Sequence, residues 1–263
     1  MIDVREARAD DYDVYQRLFP ELGVNEGATS RERFTTDLAT RMFVAIDAEQ
    51  VVGYLLFDLM DGVGYVRNVV SDPDRRRAGI GIALMEAARE RFVRAGATTW
   101  CLNVKAENRA AIALYERCGM GLHYRTTVLR LPRSVSLPPV DPSLSLVPVP
   151  PETDAVVEPA FALLPGQLAS ARNKAGRMVL QLARGDDVLG VGVFVPSVPG
   201  SFPFRLASSE HAAAFLALLR EHAHDGAAFV QVGAENDAAL AAQVLALGAY
   251  VQLELLHMHG SLA

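Results

Sequence analysis

Lysine is nearly missing from this 263-residue chain: only Lys105 and Lys174 occur, and every other cationic side chain is arginine. The net charge is −6, which argues against nucleic acid as a partner, because a nucleic-acid surface needs an excess of cations to neutralise phosphates. Cysteine is scarce too. Cys101 and Cys118 form no Cys-x-x-Cys pair and lie near no histidine cluster, which disfavours a disulfide framework or a zinc site and leads us to expect no metal. Both are expected to be buried small hydrophobes. No apolar run nears the roughly 20 residues that cross a bilayer. The start, "MIDVREARADDYD", is acidic and lacks an apolar signal region. The expectation is a cytoplasmic protein with no membrane partner. What the chain does have is apolar residues, 51% of the total, enough to core one large domain or two of ordinary size.

Seven of the fourteen prolines fall between residues 131 and 151. Proline fixes φ and removes a backbone donor, so this stretch resists helix and central strand. The reading is a domain over 1–131, a linker over 132–142 and a second domain over 143–263. The two sides repeat each other. "RMFVAIDAEQVVGYLLF" matches "RMVLQLARGDDVLGVGVFV" as a hairpin, and "VKAENRAAIALYERCGM" matches "VGAENDAALAAQVLALGAY" as a strand end, a turn and a helix.

In the first half a strand at 2–6 leads to helices within 10–38. Strands follow at 42–47, 51–59 and 64–71, then a helix over 79–95, a strand at 98–104, a helix at 108–118 and a strand at 121–131. "GYVRNVVS" is β-branched and aromatic, as strands prefer. Ile80, Leu84, Ala88 and Phe92 recur at helical spacing and predict a buried face. Hairpins alternating with helices imply an α/β fold with a sheet covered on both faces.

The stretch "SDPDRRRAGIG" joins the 64–71 strand to that helix. The first turn of a helix carries unpaired N–H groups and a partial positive charge. Gly79 and Gly81 would keep side chains away from an anion there, and Arg76 and Arg77 would add forked donors. A turn of solvated arginines is the alternative. The pattern is neither Gly-x-Gly-x-x-Gly nor a P-loop.

Arg76, Gly79 and Gly81 resemble the Arg/Gln-x-x-Gly-x-Gly/Ala signature of the GCN5-related N-acetyltransferases (GNAT). Asn108, Ala111, Leu114, Tyr115, Gly119 and Met120 are similar to that family's Asn-x-x-Ala-x-x-Leu-Tyr-x-x-x-Gly helix. The resemblance implies two tandem GNAT-like domains, each a central mixed β-sheet flanked by helices, the second degenerate. It implies acetyl-CoA as co-substrate and an amine acceptor as the other partner. It implies that the backbone of Arg76, Arg77, Ala78, Gly79, Ile80, Gly81 and Ile82 holds the pyrophosphate, that Val69, Val70 and Ser71 pair with the pantetheine arm, and that Asn108 contacts the arm. Tyr115 is the expected catalytic acid, since a phenol stays protonated at neutral pH and can protonate a leaving thiolate; packing on the sheet is the alternative.

No general base is evident. The 64–71 strand offers Tyr65, Arg67 and Asn68 but no carboxylate. Asp58 and Asp61 lie one strand earlier, Glu21, Glu26 and Glu32 lie in the N-terminal helical region, and His123 follows the last helix; solvated or structural roles compete for each. In the second half Asn236 matches Asn108, and Gln243 stands seven residues on, where Tyr115 stands in the first. The Arg-Gly turn is missing, and Ser208 or Ser209 caps a helix instead. The second half is expected to be non-catalytic. The leading function is N-acetyl transfer to a small-molecule or peptide amine by direct attack in a ternary complex. The alternative is an acyl-CoA-binding sensor or scaffold without turnover.

Overall fold

The computed structural model describes residues 2–23, 27–60 and 62–262. In chain order the elements are β1 (Asp3–Glu6), α1 (Tyr12–Leu18), α2 (Arg31–Arg33), β2 (Met42–Asp47), β3 (Gln50–Met60), β4 (Val63–Ser71), α3 (Ile80–Arg94), β5 (Thr99–Lys105), α4 (Arg109–Arg117) and β6 (Gly121–Pro132). The same succession then recurs: β7 (Leu144–Pro148), α5 (Asp154–Ala160), α6 (Gln167–Arg172), β8 (Met178–Arg184), β9 (Asp187–Val195), β10 (Gly200–Leu206), α7 (Ala212–Glu221), β11 (Phe229–Glu235), α8 (Ala238–Ala246) and β12 (Tyr250–Ser261). The ten elements of each half correspond one to one, which is the repeat expected from the sequence. Among the described residues no helix is long and apolar enough to cross a membrane.

The compact units do not divide at the proline-rich segment. One comprises Met1–Val104, Asn108–Leu122 and Met258–Ala263; the other comprises Lys105–Glu107 and His123–His257. Each unit therefore takes its closing strand from the opposite half of the sequence. In the second unit β6 pairs antiparallel with β11 over its length, from Phe229 opposite Pro132 to Glu235 opposite Thr126. Leu129 and Leu131 of β6 sit in its core with Phe215, Leu219, Leu240 and Val244. In the first unit the amide of Leu262 donates to the carbonyl of Thr98 at 2.9 Å, and Met258 and Leu262 are buried. The 121–131 strand thus completes the second unit rather than closing the first. Apolar strand residues fit either sheet equally well, so local pattern does not choose the partner.

In the first unit the sheet order is β1-β2-β3-β4-β5, with the end of β12 beyond β5. Ile80, Leu84, Ala88 and Phe92 of α3 are all buried, as their spacing predicts. The first helical region is broken into short pieces; a π turn at Phe34–Leu38 follows α2 directly. Tyr15, Leu18, Phe34 and Leu38 from this region pack against Met42, Val44, Tyr54 and Val70 of the sheet.

Candidate active site

β4 and β5 run parallel and pair only from Val63 opposite Thr99 to Val66 opposite Leu102. β4 pairs with β3 as far as Ser71, but its register shifts where Val66 gives way to Asn68, so Arg67 is the extra residue of a bulge. Beyond Val66 the two parallel strands part. On the side facing β5, the backbone of Val69, Val70 and Ser71 has no ladder partner among the described residues, which is the geometry an added extended chain requires.

The turn after β4 is fixed by Asp72. Its carboxylate accepts from the Asp74 amide at 3.1 Å and from Arg17 at 2.7 Å. The hydrogen bond from Arg17 holds the Asp72 carboxyl below the ordinary carboxylate range. The chain then enters the left-handed region at Arg77 (φ 67°) and again at Gly79 (φ 85°), the N-cap of α3. Ala83 donates to the Gly79 carbonyl at 3.0 Å. This closes the first helical turn and leaves the amides of Ile80, Gly81 and Ile82 directed past the helix end.

The two glycines differ in purpose. Gly79 is required by its positive φ, and a Cβ there would meet nothing within 4 Å. A Cβ on Gly81 would stand 2.8 Å from a methyl group of Leu114. Gly81 therefore lets α3 and α4 approach closely, a demand separate from the clearing of side chains from an anion expected from sequence. Ile80 has its side chain in the core, so only its backbone faces a ligand. Ala78 is exposed. Arg77 is exposed as well, whereas Arg76 is engaged: its terminal nitrogen pairs with Glu21 at 2.6 Å.

Asn108 caps α4, its Oδ1 accepting from the Ala111 amide at 3.1 Å. Tyr115, two turns on, is buried at 7% exposure. Burial pushes its phenol up to about 12, with the neighbouring Cys118 adding to the shift. Cys101 is fully buried and its thiol is also pushed up to about 12 by burial, so it is held as a neutral thiol. Cys118 is half-buried.

The carboxylates divide as follows. Asp58 is buried, with Oδ1 held by Arg41 at 2.6 Å and Oδ2 held by Arg67 Nε. With both oxygens held by guanidiniums, it is not placed to take a proton from an amine. Glu21 is paired with Arg76, and Glu32 is exposed on α2. Glu26 and Asp61 lie outside the described residues. His123 belongs to the second unit.

The second unit repeats this plan with altered chemistry. β10 and β11 pair only at Gly200 and Ser201 before parting. The Arg205 guanidinium crosses between them, donating to the Glu235 carbonyl at 2.7 Å and pairing with its carboxylate. Burial pushes the Glu235 carboxyl above its ordinary range, with Arg205 opposing that shift. A cleft of about 670 Å³ remains, lined by His123, Phe161, Val188, Arg205, Glu235 and Asp237 among others. Ser208 caps the short turn before α7, accepting from the Glu210 amide at 3.4 Å. The cap of α8 is Asp237, whose Oδ1 accepts from the Leu240 amide at 2.8 Å, and not Asn236. Aligning the two caps places Val244, fully buried, where Tyr115 stands. The sequence match through Asn236 was one residue out of register, because the repeated Ala-Glu-Asn outweighed the capping position.

Residues 4–120 match the model of the Acetyltransferase (GNAT) family. The family match thus falls on the first half of the chain, and the second half repeats the same succession of elements, the fold of two tandem GNAT-like units. Over 52 residues it is 46% identical to the ribosomal protein bS18-alanine N-acetyltransferase of Escherichia coli strain K12. That stretch is 20% of this chain and 35% of the relative, so the chain spans about a third of the length of the curated relatives it matches. Among solved structures, a GCN5-related N-acetyltransferase from Sphaerobacter thermophilus superposes with TM-score 0.69 at 15% identity, covering 99% of this chain and 96% of that one. A tandem GNAT protein from the clavulanic acid biosynthesis pathway gives TM-score 0.66 at 19% identity, over 100% and 99% of the two chains.

Proposed function

We propose that the first unit is an acetyl-CoA-dependent N-acetyltransferase acting on a primary amine of a small molecule or a peptide. The observation that carries this reading is the opening between β4 and β5, which runs to a helix N-terminus reached through a left-handed glycine. The group implied by the family fits these residues. Unpaired amides of α3 suit a pyrophosphate, and the free edge of β4 at Val69–Ser71 suits a pantetheine arm. Oδ1 of Asn108 is spent on its helix cap, so its Nδ2 amide is the group left to meet the arm. Attack by the amine nitrogen forms a C–N bond as the thioester C–S bond breaks. Tyr115 supplies the proton to the departing sulfur. The ammonium loses one proton to water before attack, and the second proton, released by the nitrogen as the amide forms, returns through water to the Tyr115 phenolate.

The second unit is the non-catalytic one in this reading. Arg205 and Glu235 bridge the space that the first unit leaves open, and Val244 has no proton to give. The test combines CoA calorimetry with a thiol-release assay on small amines and an alanine-initiated peptide. One CoA per chain and release with at least one acceptor support the reading. Two CoA per chain would overturn the inert second unit. CoA binding without release by any amine would favour the sensor or scaffold.

Two substitutions probe the turn. Gly79→Leu forces a bulky residue into φ 85° and should abolish measurable CoA binding, while the roughly 1–2 kcal/mol cost of that conformation lowers the melting temperature by only a few degrees. Arg76→Ala removes one charge-assisted pair, but Arg76 must first leave Glu21. The loss should therefore sit near the low end of about 1.5–3 kcal/mol, roughly tenfold in Kd. Unchanged Kd in both variants would refute the assignment.

A further inference from the structure

Arg67 occupies the point where β4 and β5 separate. It is the first residue past the last paired position, Val66, and the bulge takes it out of register with β3. Its guanidinium lies over the Tyr65 ring, with Cζ 4.4 Å from the centroid. Tyr65 is tied to β5 by Asn103, whose Nδ2 donates to the phenol oxygen at 2.9 Å. Behind it, Asp58 receives Arg67 Nε and Arg41 Nη1, and Arg41 is in turn held by Asp37. This shell fixes the guanidinium in place but uses only Nε. Among the described residues neither terminal nitrogen of Arg67 meets an acceptor. Its side chain is 32% exposed, so these nitrogens remain reachable.

A pair with Asp58 that served packing alone would gain most by spending the parallel N–H fork. Here the fork is left open. Asp58 is shared between two arginines, so the buried part of the cluster carries one surplus positive charge. Asp37, which offsets it, is 39% exposed and more strongly screened by water. A rigid, partly desolvated guanidinium with two unspent amino groups is a bidentate receptor for a carboxylate.

Building on the acetyltransferase reading, we infer that Arg67 is a specificity residue that binds a carboxylate carried by one of the two substrates beside the thioester. The carboxylate belongs either to the acceptor, as in an amino acid or acidic peptide, or to the acyl group of a dicarboxylic acyl-CoA.

The experiment compares wild type with Arg67→Gln and Arg67→Lys. Acceptors are presented as matched pairs, glycine with glycinamide and β-alanine with its amide. Donors are acetyl-CoA and succinyl-CoA. Wild type should favour the carboxylate member of one comparison by at least about tenfold in kcat/KM. In Arg67→Gln that ratio should fall toward one. Arg67→Lys keeps a charge beside Asp58 and serves as the folded variant if Gln fails to fold; it lacks the fork and should retain only a small part of the preference. A preference in the acceptor pairs assigns the carboxylate to the acceptor, and one in the donor pair assigns it to the acyl group. Calorimetry of N-acetylglycine, N-acetylglycinamide and succinyl-CoA gives a readout that needs no turnover. Binding of one carboxylate ligand should weaken at least about tenfold in the variants, while CoA affinity reports on the intact cofactor site. Equal preference and equal binding across wild type and variants would overturn the inference. Thiol release in those same assays would show that the acetyltransferase reading survives without it.

Discussion

Tyr115→Phe is expected to lower kcat by roughly 10²–10⁴ with CoA affinity nearly unchanged. The ring is kept, so packing of the buried side chain is preserved and only the dissociable proton is lost. Burial pushes the phenol up to about 12, so it is protonated throughout the neutral range. An aqueous thiol titrates near 8.5, and transfer from so weak an acid to such a thiolate would be uphill in water. The cleft changes this comparison, because burial penalises thiolate and phenolate alike. The buried thiol of Cys101 is likewise pushed up to about 12. Two acids raised together can still exchange a proton as the C–S bond breaks. The sign of the pH dependence follows. In the proposed mechanism the protonated phenol is the working form, so its loss would reduce rate only as pH rises toward 12. The wild-type rate should climb as the acceptor ammonium is deprotonated and should show no phenol-linked decline below about pH 10. If the Phe variant stays within a few-fold of wild type, Tyr115 is packing and nothing more.

Deleting residues 258–263 should cripple the first unit although they lie at the far end of the chain. Met258 is 1% exposed and Leu262 6%, and burying such side chains contributes about 1.5–3 kcal/mol each. Removal also exposes the edge of β5 and loses the bond from Leu262 to Thr98. Set against a total stability of about 5–15 kcal/mol, this is a large fraction. A Cβ on Gly260 would lie 2.5 Å from Trp100 Nε1, so the deleted strand covers Trp100 closely. Trp100 is the sole tryptophan of the chain, which makes its fluorescence a direct probe. The truncated protein should show red-shifted emission, a lower melting temperature and much weaker CoA binding. A chain ending near Pro132 lacks the same strand and should fail in the same way. Unchanged emission and CoA affinity after the deletion would refute this account.

The proposed site divides into parts that sequence exposes and parts it conceals. Gly79, Asn108 and Tyr115, singled out through the anion-site pattern and the family resemblance, sit where a local demand acts: a positive φ, a helix cap and a buried helix face. The Arg67 cluster was not. It joins residues 41, 58, 65, 67 and 103 across four strands or their ends, and only a bulge that moves one residue out of register brings the guanidinium to the opening. The Arg205–Glu235 bridge was hidden likewise, since 30 residues separate its partners.

By itself the sequence determined the succession of strands and helices, their duplication, and the turn before α3, because periodicity, proline, glycine and capping residues act within a few positions of chain. Which strand completes which sheet was decided only in the tertiary structure. The last strand of each half is apolar enough to serve either sheet, and the choice depends on backbone pairing and core packing between residues about a hundred or more positions apart.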